Sequence, residues 1–198
     1  MIELKNIRKS FKDKEVLINL SYSFPDSGLF IINGDNMSGK TTLLYILAFF
    51  DSDYQGKYLF NGINVKSLNG KEKKETIKKT ILVFSHGNLL PHLSVEHNAY
   101  LGTVCPYQLE GIKDTNRNPD TLSGGEEILL ILQREEHSSH SAIFFDEITS
   151  PLSDKNFSKV MNELKKMSQN KLIVLNSHDE RTKVFDKQLF LEEGKLHD

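Results

Sequence analysis

Phe30-Ile31-Ile32 is a short apolar run that breaks at Gly34, and Leu43-Leu44 restart apolar spacing of helical period ten residues later. Between them Gly34, Gly39, Lys40 and Thr41 fit GxxxxGK[ST] in the context that gives this spacing meaning, a strand before and a helix after. Such a loop wraps a β-phosphate with backbone N–H groups and with the positive end of a helix dipole. Lys40 then reaches the β/γ oxygens as a point charge, and the Thr41 hydroxyl is available to Mg²⁺. The alternative, a glycine-bearing strand-to-helix turn that binds nothing, gives the Gly39-Lys40-Thr41 run no purpose.

The chain has 198 residues, enough for one domain or for one domain carrying a small lobe, but not for two full domains. One is expected. Hydrophobic residues make up 38% and charged residues 26%, and the net charge of −2 gives no overall pull toward nucleic acid or anionic lipid, so no nucleic-acid partner is expected. Cys105 is the only cysteine, which rules out an intrachain disulfide and points to a reducing, cytosolic address with an inert thiol. The longest apolar run, Leu43 to Phe50, falls well short of the roughly 20 residues that span a bilayer. Met1-Ile2-Glu3-Leu4-Lys5 lacks the layout of a signal peptide. Work at a membrane would therefore need a partner to hold the chain there.

Residues 2 to 24 alternate loosely between apolar and polar around a turn at Lys12-Asp13-Lys14, which predicts antiparallel strands. Phe11 ends the first run, where pattern alone favours a cap on a sheet core over stacking on an adenine base. A helix is expected from Lys40 to Phe50, then a strand at Lys57–Phe60 entering a tight turn at Asn61-Gly62. The charge-rich stretch Lys66 to Lys79 reads as a solvated loop and helix face because glutamates interrupt its lysines. Ile81–Phe84 is a buried strand that delivers Ser85-His86-Gly87-Asn88 to a crevice. Residues 94 to 121 lose periodicity at Gly102, Pro106, Gly111 and Pro119, as a small helical or irregular lobe would.

Thr121-Leu122-Ser123-Gly124-Gly125 opens a helix whose apolar positions from Ile128 to Leu132 are nearly continuous. Ser123 is a candidate cap, and two glycines at that helix start would let a ligand approach the backbone; alone, this pattern is more often structural. Ala142 to Glu147 is a buried strand ending in two carboxylates, costly unless a cation or an active site uses them. A helix capped by Ser153 follows, with Phe157, Val160, Met161, Leu164 and Met167 on one face. Leu172–Leu175 is another parallel-type strand, and it delivers Asn176-Ser177-His178-Asp179; His178 is read equally as structural or as a contact to a terminal phosphate. Residues 188 to 196 form a closing hairpin.

Taken in this order, over nearly the whole chain, these motifs resemble the nucleotide-binding subunit of an ABC transporter. The decisive stretch is Leu122-Ser123-Gly124-Gly125-Glu126, which is similar to the LSGGQ-type signature of that family. The resemblance implies an α/β P-loop NTPase of ABC type: a mainly parallel core sheet with helices, an N-terminal antiparallel β subdomain and a shortened helical subdomain. All 198 residues would be one ABC ATPase domain, with about 86–134 as its signature lobe. It implies that ATP and Mg²⁺ are bound, by Gly34, Asp35, Asn36, Met37, Ser38, Gly39, Lys40, Thr41 and Thr42 at the phosphates. Thr41, Asp146 and Ser85 would face the metal, Glu147 would polarise the attacking water, and His178 would sense the γ-phosphate. Phe11 is reassigned to the adenine. Ser123, Gly124 and Gly125 would meet the ATP held by an opposite subunit, in a homodimer or a heterodimer.

On the same footing the chain is an ATPase motor for a separately encoded transmembrane permease, peripheral on the inner face of the cell membrane, with export of a peptide, antibiotic or lipid-like compound favoured. Two other readings stand beside it: a nucleotide-gated regulatory subunit of low turnover, and an ABC ATPase acting on ribosomes or DNA without transport. The chain departs from the family pattern at Met37 in place of glycine, Ser85 and Glu127 in place of glutamines, and Ile148 in place of proline. Ser153 stands where an aspartate is expected, with Asp154 one residue later. These departures bear on turnover more than on nucleotide binding.

Overall fold

The structure, a computed structural model, describes residues 1–12, 14–103, 108–184 and 187–198. Cys105, the breaker Pro106 and Asp13 of the first turn lie outside the described residues. The expected alternation near the amino terminus folds as β1 (Ile2–Phe11) and β2 (Lys14–Phe24), paired antiparallel. After β3 (Gly28–Asn33) and α1 (Lys40–Leu47), β4 (Gln55–Phe60) and the two-residue β5 (Ile63–Asn64) complete this first sheet in the order β2-β1-β4-β5. Asn61 and Gly62 turn between them with φ of 51° and 80°, the left-handed pair that a two-residue hairpin needs.

α2 (Gly70–Ile77) buries no residue, as its charge pattern requires. The chain then gives β6 (Thr80–Phe84), α3 (Val95–Ala99), α4 (Gly124–Glu136), β7 (Ala142–Asp146), α5 (Asp154–Met167), β8 (Leu172–Asn176), β9 (Gln188–Glu192) and β10 (Lys195–His197). The second sheet has the order β10-β9-β3-β8-β7-β6. All its neighbours are parallel except the closing hairpin β9–β10.

Both faces of the parallel strands are covered, and this is why they read as unbroken apolar runs. Phe30, Ile32, Phe144 and Val174 point into a core shared with α1 and the antiparallel sheet, while Ile31, Ile143, Phe145, Ile173 and Leu175 point to the other face, against α4 and α5. The middle of α4, Ile128–Leu132, is apolar on every side because it has two burial partners. Ile128, Ile131 and Leu132 face the sheet, and Leu130 joins Val95, Ala99 and Ile112 in a small separate cluster that holds the lobe together.

Two boundaries differ from the sequence reading. The helix expected to reach Phe50 stops at Leu47, because Phe49 turns left-handed (φ 64°) and stacks its ring on Tyr58, 5.1 Å between centroids. The strand expected to include Glu147 stops at Asp146, since Glu147 is itself left-handed (φ 55°).

Phe144 is fully buried at the centre of the larger core. Phe144→Ala is expected to cost about 3–5 kcal/mol of unfolding free energy in urea titration. A loss below about 1 kcal/mol would mean that the core is not packed through β7.

Candidate functional site

In-register pairing puts Ile32 of β3 beside Asn176 of β8, and Asn176 beside Asp146 of β7. The loop before α1, the acid pair and the polar cluster around His178 therefore leave the sheet at one edge, the carboxyl end where ligands of open α/β sheets bind. A cavity of about 600 Å³ lies there, lined by Phe11, Lys14, Val16, Asn36, Met37, Gly39, Lys40, Thr41, Thr42, Glu147 and His178.

The loop is shaped for an anion. α1 begins at Gly39 (φ 105°) without a side-chain cap, whereas α2, α3, α4 and α5 are capped by Asn69, Ser94, Ser123 and Ser153. The first N–H groups of α1 thus remain available to a ligand. A Cβ at Gly34 (φ 144°) would lie 2.4 Å from the Leu191 carbonyl oxygen, so only glycine fits there. The Ser38 hydroxyl is buried in the loop with no hydrogen-bond partner, a state that costs about 1–3 kcal/mol unless something else engages it. Lys40 is 5% exposed and donates to the carbonyls of Gly34 (2.7 Å) and Asp35 (2.8 Å). Burial pulls its ammonium below the usual lysine range, against the opposing charges of Glu147, Asp35 and Asp146. Met37 also lies left-handed (φ 64°), and its side chain is 83% exposed at the cavity.

Facing the loop, Asp146 accepts a hydrogen bond from the Thr41 hydroxyl at 3.1 Å. Among the described residues no three His, Cys, Asp or Glu side chains gather into a metal site. A hydroxyl beside one carboxylate nevertheless suits Mg²⁺, which is bound through one or two carboxylates together with phosphate oxygens. Glu147 Oε1 lies 3.0 Å from His178 Nε2, and the Ser150 hydroxyl donates to Glu147 Oε2 at 3.4 Å. Phe11 is 51% exposed, with Lys9 Nζ 4.9 Å from its ring centre, so the sheet-core reading of this residue fails.

The remaining expected residues stand apart from the cavity lining. Ser85 follows Phe84, the pairing partner of Asp146, but is not among the lining residues. Ser123, Gly124 and Gly125 open α4, where Ser123 and Glu126 form a reciprocal capping box and Arg117 Nη2 donates to Glu126 at 3.0 Å. The Ser123 backbone N–H and hydroxyl, followed by Arg117, hold the Glu126 carboxyl below the usual range. The two glycines at this helix start differ in the space beside them. A Cβ on Gly124 meets nothing within 4 Å, but one on Gly125 would fall 2.0 Å from Asn156 Nδ2, so that gap is filled by α5.

Two further residues act at this edge through contacts that the sequence alone does not show. Asn176 is fully buried and bonds both acids: its amide donates to Asp146 Oδ1, and its carbonyl accepts the Glu147 N–H at 2.7 Å. Arg181 donates to Asp179 (2.6 and 2.9 Å), Asp154 (2.7 Å) and the Leu152 carbonyl (3.1 Å), and lies 4.3 Å from the Phe157 ring centre. The only sequence signal for Asn176 was a polar residue closing the apolar run Leu172–Leu175; Arg181 had none.

The sequence model of the family described as ABC transporter matches residues 17–150. PEB1C of Campylobacter jejuni, a probable ABC transporter ATP-binding protein, is 30% identical over 220 residues, covering 99% of this chain and 88% of the relative. MacB of the same species, a macrolide export ATP-binding/permease protein, is 30% identical over 216 residues, covering 99% of this chain and 33% of MacB. Among solved structures, the dimeric post-hydrolysis state of the Methanocaldococcus jannaschii ATP-binding cassette MJ0796 with ADP and Pi is similar in fold. It has a TM-score of 0.80 at 23% identity, covering 100% of this chain and 97% of that one.

The packing at the start of α4 separates its two glycines. Gly125→Ala is expected to cost about 1–3 kcal/mol in urea unfolding, largely restored by adding Asn156→Ala, while Gly124→Ala stays within about 0.5 kcal/mol. Equal costs at the two positions would contradict the contact with Asn156. Because the folded carboxyl of Glu126 titrates below its unfolded value, its contribution is complete above the unfolded pKa and is lost as pH falls through the folded one. Glu126→Gln should therefore flatten the acid limb of stability against pH, measured by thermal unfolding from pH 6 downward.

Proposed function

The chain belongs to the ABC transporter family of ATP-binding proteins and is an ATPase that uses ATP with Mg²⁺; from that premise we propose that it is the motor subunit for a separately encoded transmembrane permease. The observation that carries the reading is the single carboxyl edge where the uncapped α1 and the Glu147–His178 pair, 3.0 Å apart, line one cavity.

Phosphoryl transfer to water needs positioning and charge stabilisation more than covalent help. Gly34, Asp35, Asn36, Met37, Ser38, Gly39, Lys40, Thr41 and Thr42 form the phosphate cradle, its N–H groups and the Lys40 ammonium aimed where negative charge grows in the transition state. Thr41, Asp146 and Ser85, the residue after β6, would hold Mg²⁺. Mg²⁺ would supply neutralisation of charge on the β- and γ-oxygens. Glu147 orients the attacking water and draws on its proton, and His178 fixes the Glu147 carboxylate while facing the terminal phosphate. Phe11, displayed to solvent at the cavity, stacks on adenine.

Ser123, Gly124 and Gly125, at the start of α4, are read as meeting nucleotide held by a second ATPase chain, a copy or a related subunit. Two such chains closing on two ATP molecules convert binding energy into motion of the permease. The whole of 1–198 is read as one ABC ATPase domain, with about 86–134 as its signature lobe, working at the inner face of the cell membrane. Among the described residues no helix is long and apolar enough to cross a membrane. Export is the direction proposed, supported by the likeness to MacB.

Glu147→Gln is expected to lower kcat for ATP by at least about 100-fold and to trap an ATP-dependent dimer in light scattering. Native turnover in that variant would remove Glu147 from its role. Lys40→Ala should abolish ATP binding in calorimetry with the fold intact by circular dichroism; retained affinity would exclude the cradle as the triphosphate site.

A further inference from the structure

The bonds around the acid pair assign a task to a residue in neither the loop nor the pair. We infer that Asn176 is a positioning residue that sets the direction of both carboxylates after β7, holding Glu147 toward His178. The inference rests on the reading of Asp146 and Glu147 given above.

Asn176 closes β8, the strand between β3 and β7, and is level with Asp146 across the pairing. A primary amide at this place has a donor and an acceptor on one planar group. Here the donor goes to Asp146 Oδ1 and the acceptor takes the Glu147 N–H, so one buried side chain spans two consecutive residues of the neighbouring strand end. Asp146 Oδ1 also receives the Thr41 hydroxyl, and two donors on one oxygen fix the carboxylate plane.

The bond to Glu147 carries more than packing. Its φ of 55° belongs to a region that a non-glycine residue keeps only when its surroundings over-determine it. The 2.7 Å bond from Glu147 N–H to Asn176 Oδ1 supplies that determination, and Ile148 permits it, because a proline at 148 would push Glu147 toward extended backbone. Turning left at Glu147 brings its carboxylate to the His178 ring, which leaves β8 only two residues beyond Asn176. A second buried bridge, the 2.7 Å pair of Thr149 and Ser177 hydroxyls, ties the same two strand exits together. The side chain that anchors the Glu147 backbone and the one that meets its carboxylate thus come from one short segment.

Asn176→Leu removes both bonds at similar volume. Asn176→Asp keeps an acceptor for the Glu147 N–H but sets a carboxylate against Asp146. The expected results are a kcat for ATP at least about 10-fold lower in both variants with KM within about threefold. Amide hydrogen exchange of Glu147, followed by NMR without nucleotide, should accelerate about 10-fold or more in Asn176→Leu and stay near native in Asn176→Asp. A merely structural role would raise exchange throughout β7 and β8 and leave kcat of the folded fraction unchanged. That result overturns the inference, as does native kcat in either variant. Should Asn176→Leu fail to fold, Asn176→Asp decides: lowered kcat with Glu147 still protected supports positioning, and native kcat rejects it. If Glu147→Gln keeps native turnover, the reading of the acid pair has failed. If Glu147→Gln is inactive while both Asn176 variants turn over normally, only the role of Asn176 has failed.

Discussion

The site depends on the register of three parallel strands. Because Ile32, Asn176 and Asp146 are level across β3, β8 and β7, an anion-binding loop, a pair of acids and a histidine leave the sheet together. A register slip of one residue would send each apolar side chain of the strand to the opposite face. The two hydrophobic layers that clamp the sheet, one against α1 and the antiparallel strands and the other against α4 and α5, hold that register. Burial on both faces thus fixes the active edge as well as the fold.

The acids at this edge are affordable only through the groups around them. Lys40 is desolvated but faces Glu147, Asp35 and Asp146, whose charges oppose the loss of its proton. Asp146 has hydroxyl and amide donors, and Glu147 has His178 and Ser150. A buried charge is tolerated where hydrogen bonds and opposite charges replace water. The same donors orient the oxygens, so the means of keeping two carboxylates at the end of a buried strand also directs them.

Much of this was legible in the sequence because the informative signals are local. The loop spacing at Gly34 to Thr41, the acids closing the run at Ala142, the Ser-Gly-Gly helix start and the turn pairs such as Asn61-Gly62 each lie within a few residues. What stayed hidden depends on contacts between distant segments. The left-handed turn of Phe49 follows from its stacking on Tyr58, and the contact of Gly125 with Asn156 follows from how α4 lies on α5. Asn176 looked like the first polar residue of a loop. Its role appears only once strand order puts β8 beside β7, and order is not written in any one strand.

These long-range contacts also form a continuous physical route across the molecule. His178 leaves β8 one residue before Asp179, and Arg181 clamps Asp179 to Asp154 and to the Leu152 carbonyl at the start of α5. Arg181 packs on Phe157, the neighbour of Asn156, whose amide fills the space beside Gly125 on α4. Each step is a direct contact between elements rather than proximity in sequence. A shift of the β8 exit against Glu147 would therefore move the start of α5, and through Asn156 the start of α4, unless one of these bonds breaks. The Ser123–Glu126 box and Arg117 stiffen the far end, so displacement there would move the helix start as a unit. Such a route transmits only if it has two arrangements of comparable energy. Arg181 is the most heavily bonded link in it, through Asp179, Asp154 and the Leu152 carbonyl, whereas α4 and α5 meet at Gly125 and Asn156 through a neutral amide set against a backbone.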